Sequence, residues 1–225
     1  MPMGRSALMV VMREVMRRNR LKDGLIYLQV TRGAYRRDHA IPPFAKPSLI
    51  ITARNIDPKG YDKRRAEGIS VVTQKDIRWG RCDIKTTGLL PNVLAKTQAR
   101  KGGAYEAWLV DAQGFVTEGA STNAWIVTPE GELITRQTDS GILAGITRST
   151  LKSMCSALQL RFVERPFTLA EAKKAQEAFI TSATSFVTPV VRIDGQAVGD
   201  GKPGATARRL REEYVRFAAQ GEQVT

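Results

Sequence analysis

The sequence predicts a mixed α+β fold, with several hairpins and amphipathic helices in one chain of 225 residues. Three observations carry that reading. Short apolar, β-branched runs such as Leu25–Thr31, Ile69–Thr73 and Val187–Ile193 have the composition of strands. Tyr105–Val110, the turn Asp111-Ala112-Gln113-Gly114 and Phe115–Thr117 together make a hairpin pattern. Apolar residues also recur at helical spacing, with Leu8, Val11, Met12, Val15 and Met16 on one face and Leu151, Met154, Cys155 and Leu158 on another.

In chain order, a helix is expected over about Ser6–Asn19, followed by the Asp23-Gly24 turn. Leu25–Thr31 and Ser48–Ala53 are strands, separated by Arg32-Gly33 and a stretch holding Pro42, Pro43 and Pro47. Asn55–Glu67 is charged and carries Pro58 and Gly60, so it reads as a linker. That divides the chain into a small N-terminal domain (1–56), a linker (57–67) and a larger domain (68–225). Ile69–Thr73 leads towards Arg78 and Lys85, and Asn92–Lys101 is a helix ended by Gly102-Gly103. Glu118–Asn123 reads as a small polar bend, with strands at Ala124–Val127 and Leu133–Thr135. Gly141–Arg148 runs into the helix that holds Leu151 and Leu158, and Arg161–Pro166 is a short strand. Thr168-Leu169-Ala170-Glu171 matches a capping box and starts a helix. Ala178–Thr181 and Val187–Ile193 are strands joined by Ser182–Ser185, and Leu210, Tyr214, Phe217 and Ala218 mark a last amphipathic helix.

Composition narrows the function classes. Hydrophobic residues make up 42% and charged residues 25%, enough for an ordinary buried core. Two cysteines without paired spacing argue against a disulfide scaffold or a zinc site and fit a reducing cytoplasm. No apolar run reaches membrane-spanning length. The net charge of +13 raises nucleic acid as a partner, but the basic residues are scattered and no stacking motif accompanies them, so solvated faces and anion-binding groups are expected instead. A targeting peptide is one reading of the basic N-terminal segment, but Glu14 interrupts the apolar run Leu8–Met12 and no small-residue cleavage pattern follows, so an amphipathic helix of a folded domain is expected there.

Four features carry chemistry. Lys85 precedes a tight Thr86-Thr87-Gly88 turn and is flanked by Cys82, Ile84 and Leu89. Beside a strand end it is expected to be partly buried, which disfavours the charged form and suits a Schiff-base amine. Gly145-Ile146-Thr147-Arg148 opens a helix, where unpaired N–H groups and the dipole attract a phosphate; it also reads as an ordinary loop before a helix. Ser182-Ala183-Thr184 offers hydroxyls between two strands, either as a phosphate loop or as a simple turn. Glu118 follows a strand and is either a surface turn residue or a carboxylate that holds a ring N–H.

A resemblance orders these alternatives. Tyr27–Gly33, Arg81–Lys85, Asn92–Lys96, Val116–Gly119 with Ser121–Asn123, Ile142–Arg148 and Val187–Gly195 match, in order, the fold-type IV pyridoxal-phosphate (PLP) enzymes. The chain is most similar to D-amino-acid transaminases; branched-chain aminotransferases and aminodeoxychorismate lyase are relatives. The resemblance implies an α+β fold of that type, a PLP cofactor on Lys85, and Glu118 paired with the pyridine nitrogen. It implies that the backbone at Ile146 and Thr147 holds the phosphate with the Ser182-Ala183-Thr184 loop, although many relatives carry threonine where Ala183 stands. Tyr27, Arg37 and His39 are the implied substrate-binding residues, the arginine fork suiting a carboxylate.

The implied activity is transamination between a D-amino acid and an α-keto acid in a cytoplasmic homodimer. The alternatives are the lyase, the branched-chain aminotransferase, or a catalytically inactive fragment that binds or scaffolds. Relatives begin upstream, with strands that supply a phosphate-binding arginine and an active-site tyrosine. The N-terminal domain is therefore expected to be incomplete, with strand edges and apolar surface uncovered and weak PLP binding. Arg148 is the nearest cation to the phosphate loop in the sequence.

Overall fold

A computed structural model describes residues Pro2 to Gly221. The chain folds as two compact units, one ending at Lys59 and the other starting at Gly60. In the first, α1 (Arg5–Arg18) is followed by β1 (Gly24–Thr31) and β2 (Ser48–Asn55). Glu14 pairs with Arg17 and Arg18 one turn on, each at 2.6 Å, and Asn19 Nδ2 closes the helix on the Val15 carbonyl at 2.8 Å. No residue of α1 is buried. The two strands pair antiparallel from Gly24 opposite Asn55 to Thr31 opposite Ser48. Tyr27, Leu28, Val30 and Ile50 of this ribbon are exposed.

The expected linker is mostly helix: α2 covers Pro58–Glu67. It lacks an apolar period because it buries no residue, and its order comes from other contacts. Asp62 pairs with Arg65 at 2.8 Å and Lys63 with Glu67 at 3.9 Å. The Arg64 guanidinium lies 4.6 Å from the Tyr61 ring centre and 5.0 Å from that of Tyr105. Gly68, at φ +77°, stops the helix in a conformation that glycine adopts without strain.

The second unit continues through β3 (Ile69–Lys75), α3 (Leu90–Lys101), β4 (Glu106–Val110), β5 (Val116–Gly119), β6 (Asn123–Val127) and β7 (Glu132–Thr135). Then come α4 (Ile146–Cys155), β8 (Arg161–Glu164), α5 (Leu169–Lys174), β9 (Glu177–Ser182), β10 (Phe186–Ile193), β11 (Gln196–Ala197) and α6 (Ala205–Gly221). The Thr168–Glu171 capping box forms as its sequence implies. The short β11, paired to the end of β10, has no apolar run to announce it.

Among the described residues, nine strands make one sheet, in the order β5-β4-β3-β10-β9-β6-β7-β8 with β11 against β10. β3 runs parallel to both β10 and β4, and β7 parallel to β8. The order forces curvature. Five inter-strand steps separate β5 from β6, about 24 Å in a flat sheet. Yet only Ala120, Ser121 and Thr122 connect them, a reach of about 14 Å. The sheet therefore curls so that β5 approaches β6, and Gly119 N–H bonds the Thr122 carbonyl at 2.6 Å.

Alternation along the central strands feeds two apolar layers. Ile126 and Ile180 pack with Ile69, Val71, Trp108 and Phe167 on one side. Trp125 and Phe179 pack with Leu151, Val187 and Leu210 on the other. Trp125 stacks on Phe179 at 5.4 Å between ring centres and donates its indole N–H to Thr181 Oγ1 at 2.9 Å. Burial is thus concentrated in β6 and β9 and is slight in the β1–β2 ribbon. Amide hydrogen exchange should show it: the β6 and β9 amides exchange only on global unfolding, and those of β1 and β2 roughly tenfold faster or more. Equal protection in both units would contradict this distribution of stability.

Candidate active site

Glu118 lies near the end of β5, at the mouth of the curl, and is 6% exposed. It is not the surface turn residue of a polar bend; strand pairing runs through Gly119, and only the next three residues turn. Its Oε1 accepts a hydrogen bond from Arg78 Nη1. Its Oε2 accepts from Asn123 Nδ2 at 3.0 Å and from the Leu143 N–H at 3.2 Å. Burial pushes the Glu118 carboxyl up to about 7, against the Arg78 charge and the Leu143 N–H, which pull it down. Asp76 forks the far side of Arg78, accepting from Nε at 2.9 Å and Nη2 at 2.7 Å. Burial acts to raise Asp76 too, but hydrogen bonds from Arg78 and Thr117 outweigh it and hold the carboxyl below its usual value.

Asn123 opens β6 and ties this carboxylate to the start of α4. Its Nδ2 also donates to the Leu143 carbonyl at 2.9 Å. A β-carbon on Gly145 would overlap Asn123 Oδ1, so the chain approaches Asn123 this closely only as glycine. Gly145 is the N-cap of α4, and no side chain caps the helix. The first-turn N–H groups, Ile146 and Thr147 among them, have no partner within the helix. Thr147 is buried, its hydroxyl 3.3 Å from Tyr214 Oη. Asn123 also faces Thr181 across the β6–β9 ladder, which places Ser182 next along β9. There Ser182 Oγ lies 2.7 Å from Ser185 Oγ and 3.3 Å from Thr184 Oγ1, with Ala183 and Thr184 exposed at the turn. Ser182, Thr184 and Ser185 keep three hydroxyls in a loop whose Ala183 has none.

Arg148 is committed elsewhere: its side chain is buried, donating to the Arg136 carbonyl at 2.7 Å and pairing with Glu164 at 2.7 Å. It is not a counter-ion for an anion at Ile146 and Thr147.

Lys85 departs from its expected environment. It is exposed, as are Ile84 and Leu89 beside it. β3 ends at Lys75, so Lys85 lies in a loop off the sheet and no element covers it. The loop is nevertheless tied on both sides of the lysine. Arg78 Nη2 bonds the Gly141 carbonyl at 3.0 Å, the Cys82 N–H bonds Ser140 O at 2.8 Å, and Asn92 Nδ2 bonds Ala120 O at 2.9 Å. These ties bring the Lys85 loop against the segments next to Glu118 and α4.

In the first unit, Tyr27 lies on β1, with its hydroxyl donating to Gln29 Oε1 at 2.9 Å. Arg37 and His39 are exposed in the loop between β1 and β2, around Asp38, whose Oδ1 accepts from the Ala40 N–H at 3.1 Å. An open concavity of about 390 Å³ lined by Val30, Thr31, Arg32, Ala45 and Pro47 contains none of the candidate residues. Sequence reasoning assigned no role to Asp76, Arg78 or Asn123. The available signal was the Asp76-Ile77-Arg78 triplet directly after an apolar strand, charges too close to the core to be solvated faces.

A family model described as amino-transferase class IV matches residues 1–193. The D-alanine aminotransferase of Staphylococcus haemolyticus is 42% identical over 209 residues, 92% of this chain and 72% of that protein. A branched-chain amino acid aminotransferase of T.th., solved with pyridoxamine 5'-phosphate, superposes with a TM-score of 0.84 at 28% identity, over 96% of this chain and 72% of that one. The branched-chain enzyme of Escherichia coli gives a TM-score of 0.82 at 25% identity, covering 95% of this chain and 71% of that one. With its fold-type IV architecture and a match over most of its length, the chain belongs to the amino-transferase class IV family.

Proposed function

We propose that this protein is a PLP-dependent aminotransferase that passes the amino group of a D-amino acid such as D-alanine to an α-keto acid. The observation that carries the reading is the Asn123 junction. One amide links a buried carboxylate, Glu118, to the Leu143–Gly145 turn and so to the uncapped start of α4. A small aromatic phosphate with a basic ring nitrogen needs those two ends. The residues present fit it: Glu118 Oε1 has one donor and can accept a second, and the α4 N-terminus and the Ser182–Ser185 hydroxyls suit a phosphate.

The bound cofactor would supply the electron sink that lets a C–H bond next to an amine ionise. Lys85 Nζ would attach it and, once released, carry the substrate α-proton as general base and acid. Glu118 would hold the ring nitrogen protonated by a charge-assisted hydrogen bond. Arg37 and His39 would bind the substrate carboxylate and fix which hand of the amino acid presents its hydrogen, with Tyr27 lining the substrate. D-alanine is favoured by the 42% identity to a D-alanine aminotransferase. The branched-chain reading is favoured by the solved structures and makes L-leucine the competing donor. A cytoplasmic setting fits the free thiols of Cys82 and Cys155. A homodimer fits the exposed Ile77, Trp79, Leu90, Val93 and Leu94.

Three outcomes test this reading. Borohydride reduction of PLP-loaded protein followed by peptide mapping should put the pyridoxyl group on Lys85; labelling confined to other lysines sinks the assignment.

Glu118→Gln should retain cofactor and slow single-turnover proton abstraction about tenfold or more, the value of one charged hydrogen bond. The same variant has a pH signature without cofactor. Glu118 titrates higher in the folded chain than its ordinary value of 4.5, so the native state holds the extra proton between those values and stability falls as pH rises from about 4.5 to about 7. The melting temperature of the wild-type apoprotein should therefore drop more between pH 5 and pH 8 than that of Glu118→Gln. Parallel profiles would reject the raised titration.

Arg37→Ala should raise KM for D-alanine well above the effect of Arg36→Ala, its exposed neighbour. Equal effects, or faster turnover of L-leucine than of D-alanine, would refute the carboxylate assignment and the D-amino-acid reading.

A further inference from the structure

Asp76, Arg78 and Glu118 form a buried cluster with one cation against two carboxylates, the Arg78 and Glu118 side chains 5% and 9% exposed. The fork on Asp76 takes Nε and Nη2 of Arg78. Nη2 also reaches Thr117 Oγ1 at 3.3 Å and the Gly141 carbonyl at 3.0 Å. Thr117 in turn donates to Asp76 Oδ2 at 2.7 Å. Two anchors on one side leave Nη1 as the end aimed at Glu118, and it meets Oε1 alone. Asn123 and the Leu143 N–H both sit on Oε2. A carboxylate oxygen accepts two hydrogen bonds readily, so Oε2 is full and Oε1 has one place left.

We propose that Asp76 and Arg78 are positioning residues for Glu118: they fix which oxygen stays open and leave the cluster with a single net negative charge, which a protonated ring nitrogen completes. This rests on the functional reading above. The groups that face Glu118 are Arg78 and Asp76 after β3, the neighbouring Cys82 thiol, Asn123 on β6 and the Leu143 N–H before α4. A guanidinium without Asp76 would be free to fork onto both Glu118 oxygens, as arginine does wherever a carboxylate lets it. Asp76 prevents this by occupying the other edge. The arrangement selects a cationic N–H donor over a neutral ring of the same shape, because a neutral ring would leave the buried negative charge uncompensated.

The test follows the Glu118 carboxyl in apoprotein labelled with 13C-glutamate, its signal identified by loss in Glu118→Gln. Arg78→Gln removes the attracting charge and should move the midpoint up. Asp76→Asn removes the repelling charge and should move it down. Each shift should be roughly one pH unit or more, the size a close charge produces. Arg78→Lys keeps the charge without the fork and should fall between wild type and Arg78→Gln. Opposite shifts support the proposal, since a packing role alone would move both variants together or neither. Should Arg78→Gln not fold, the downward shift in Asp76→Asn decides. Borohydride labelling at Lys85 runs in parallel: absent labelling in wild type overturns the functional reading and this inference with it, whereas normal labelling with unmoved midpoints overturns the inference alone.

Discussion

A carboxylate withdrawn from water is costly unless hydrogen bonds replace the lost hydration, and Glu118 is such a group. Four donors or charges arrange themselves around it: the Arg78 guanidinium, the Asn123 amide, the Leu143 N–H and, behind Arg78, the Asp76 carboxylate. With Glu118 itself they come from four places in the sequence: the segment after β3, the start of β6, the loop before α4 and β5. Satisfying one buried charge thereby fixes the relative positions of the segments that carry the candidate chemistry. The same network leaves Glu118 titrating near neutrality while Asp76 stays ionised. Two carboxylates close in space are pushed apart in proton affinity because burial raises Glu118 while hydrogen bonds from Arg78 and Thr117 hold Asp76 down.

The curled sheet is the device that delivers those segments. β5 and β6 are far apart in strand order but joined by three residues, so the curve of the sheet brings Glu118 and Asn123 to one rim. Glycines permit the close approaches there. A β-carbon at Gly119 would overlap Thr122 Oγ1, and one at Gly145 would overlap Asn123 Oδ1. The aromatic layers behind the rim, Trp125 on Phe179 and Trp108 edge-on to Phe167, supply the rigidity that a preorganised site requires.

A second small network steadies the far side of the rim. Glu106, wholly buried, pairs with Lys96 of α3 at 2.9 Å and accepts from Ser121 Oγ at 2.7 Å. It thereby fastens α3 to the β5–β6 turn. The exposed loop carrying Lys85 runs between these two anchored regions, held by Cys82 on one side and Asn92 on the other. A lysine on such a loop is reachable while its attachment points stay fixed. In the first unit, by contrast, charges on α1 and a two-stranded ribbon do the structural work with little burial, and two strands alone are marginally stable.

Local pattern determined much of this protein. The β-branched runs, the Asp111–Gly114 turn and the Thr168–Glu171 box each act through neighbours in the chain, so strands, hairpin and cap are legible from residues a few positions apart. The order of short motifs likewise pointed to Lys85, Glu118, Ile146 and Thr147. Tertiary structure decided what depends on distant partners. The charged Asn55–Glu67 stretch looks like a linker because a surface helix steadied by ion pairs and arginine–tyrosine stacking has no apolar period to read. Lys85 is exposed because the strand expected beside it ends at Lys75. Arg148, near the expected phosphate site in sequence, turns inward to Glu164. Arg78 and Asp76 acquire their role only when the sheet curls and a glutamate forty residues on meets the arginine in a dry environment. Burial and charge compensation are properties of the assembled structure, and no local pattern encodes them.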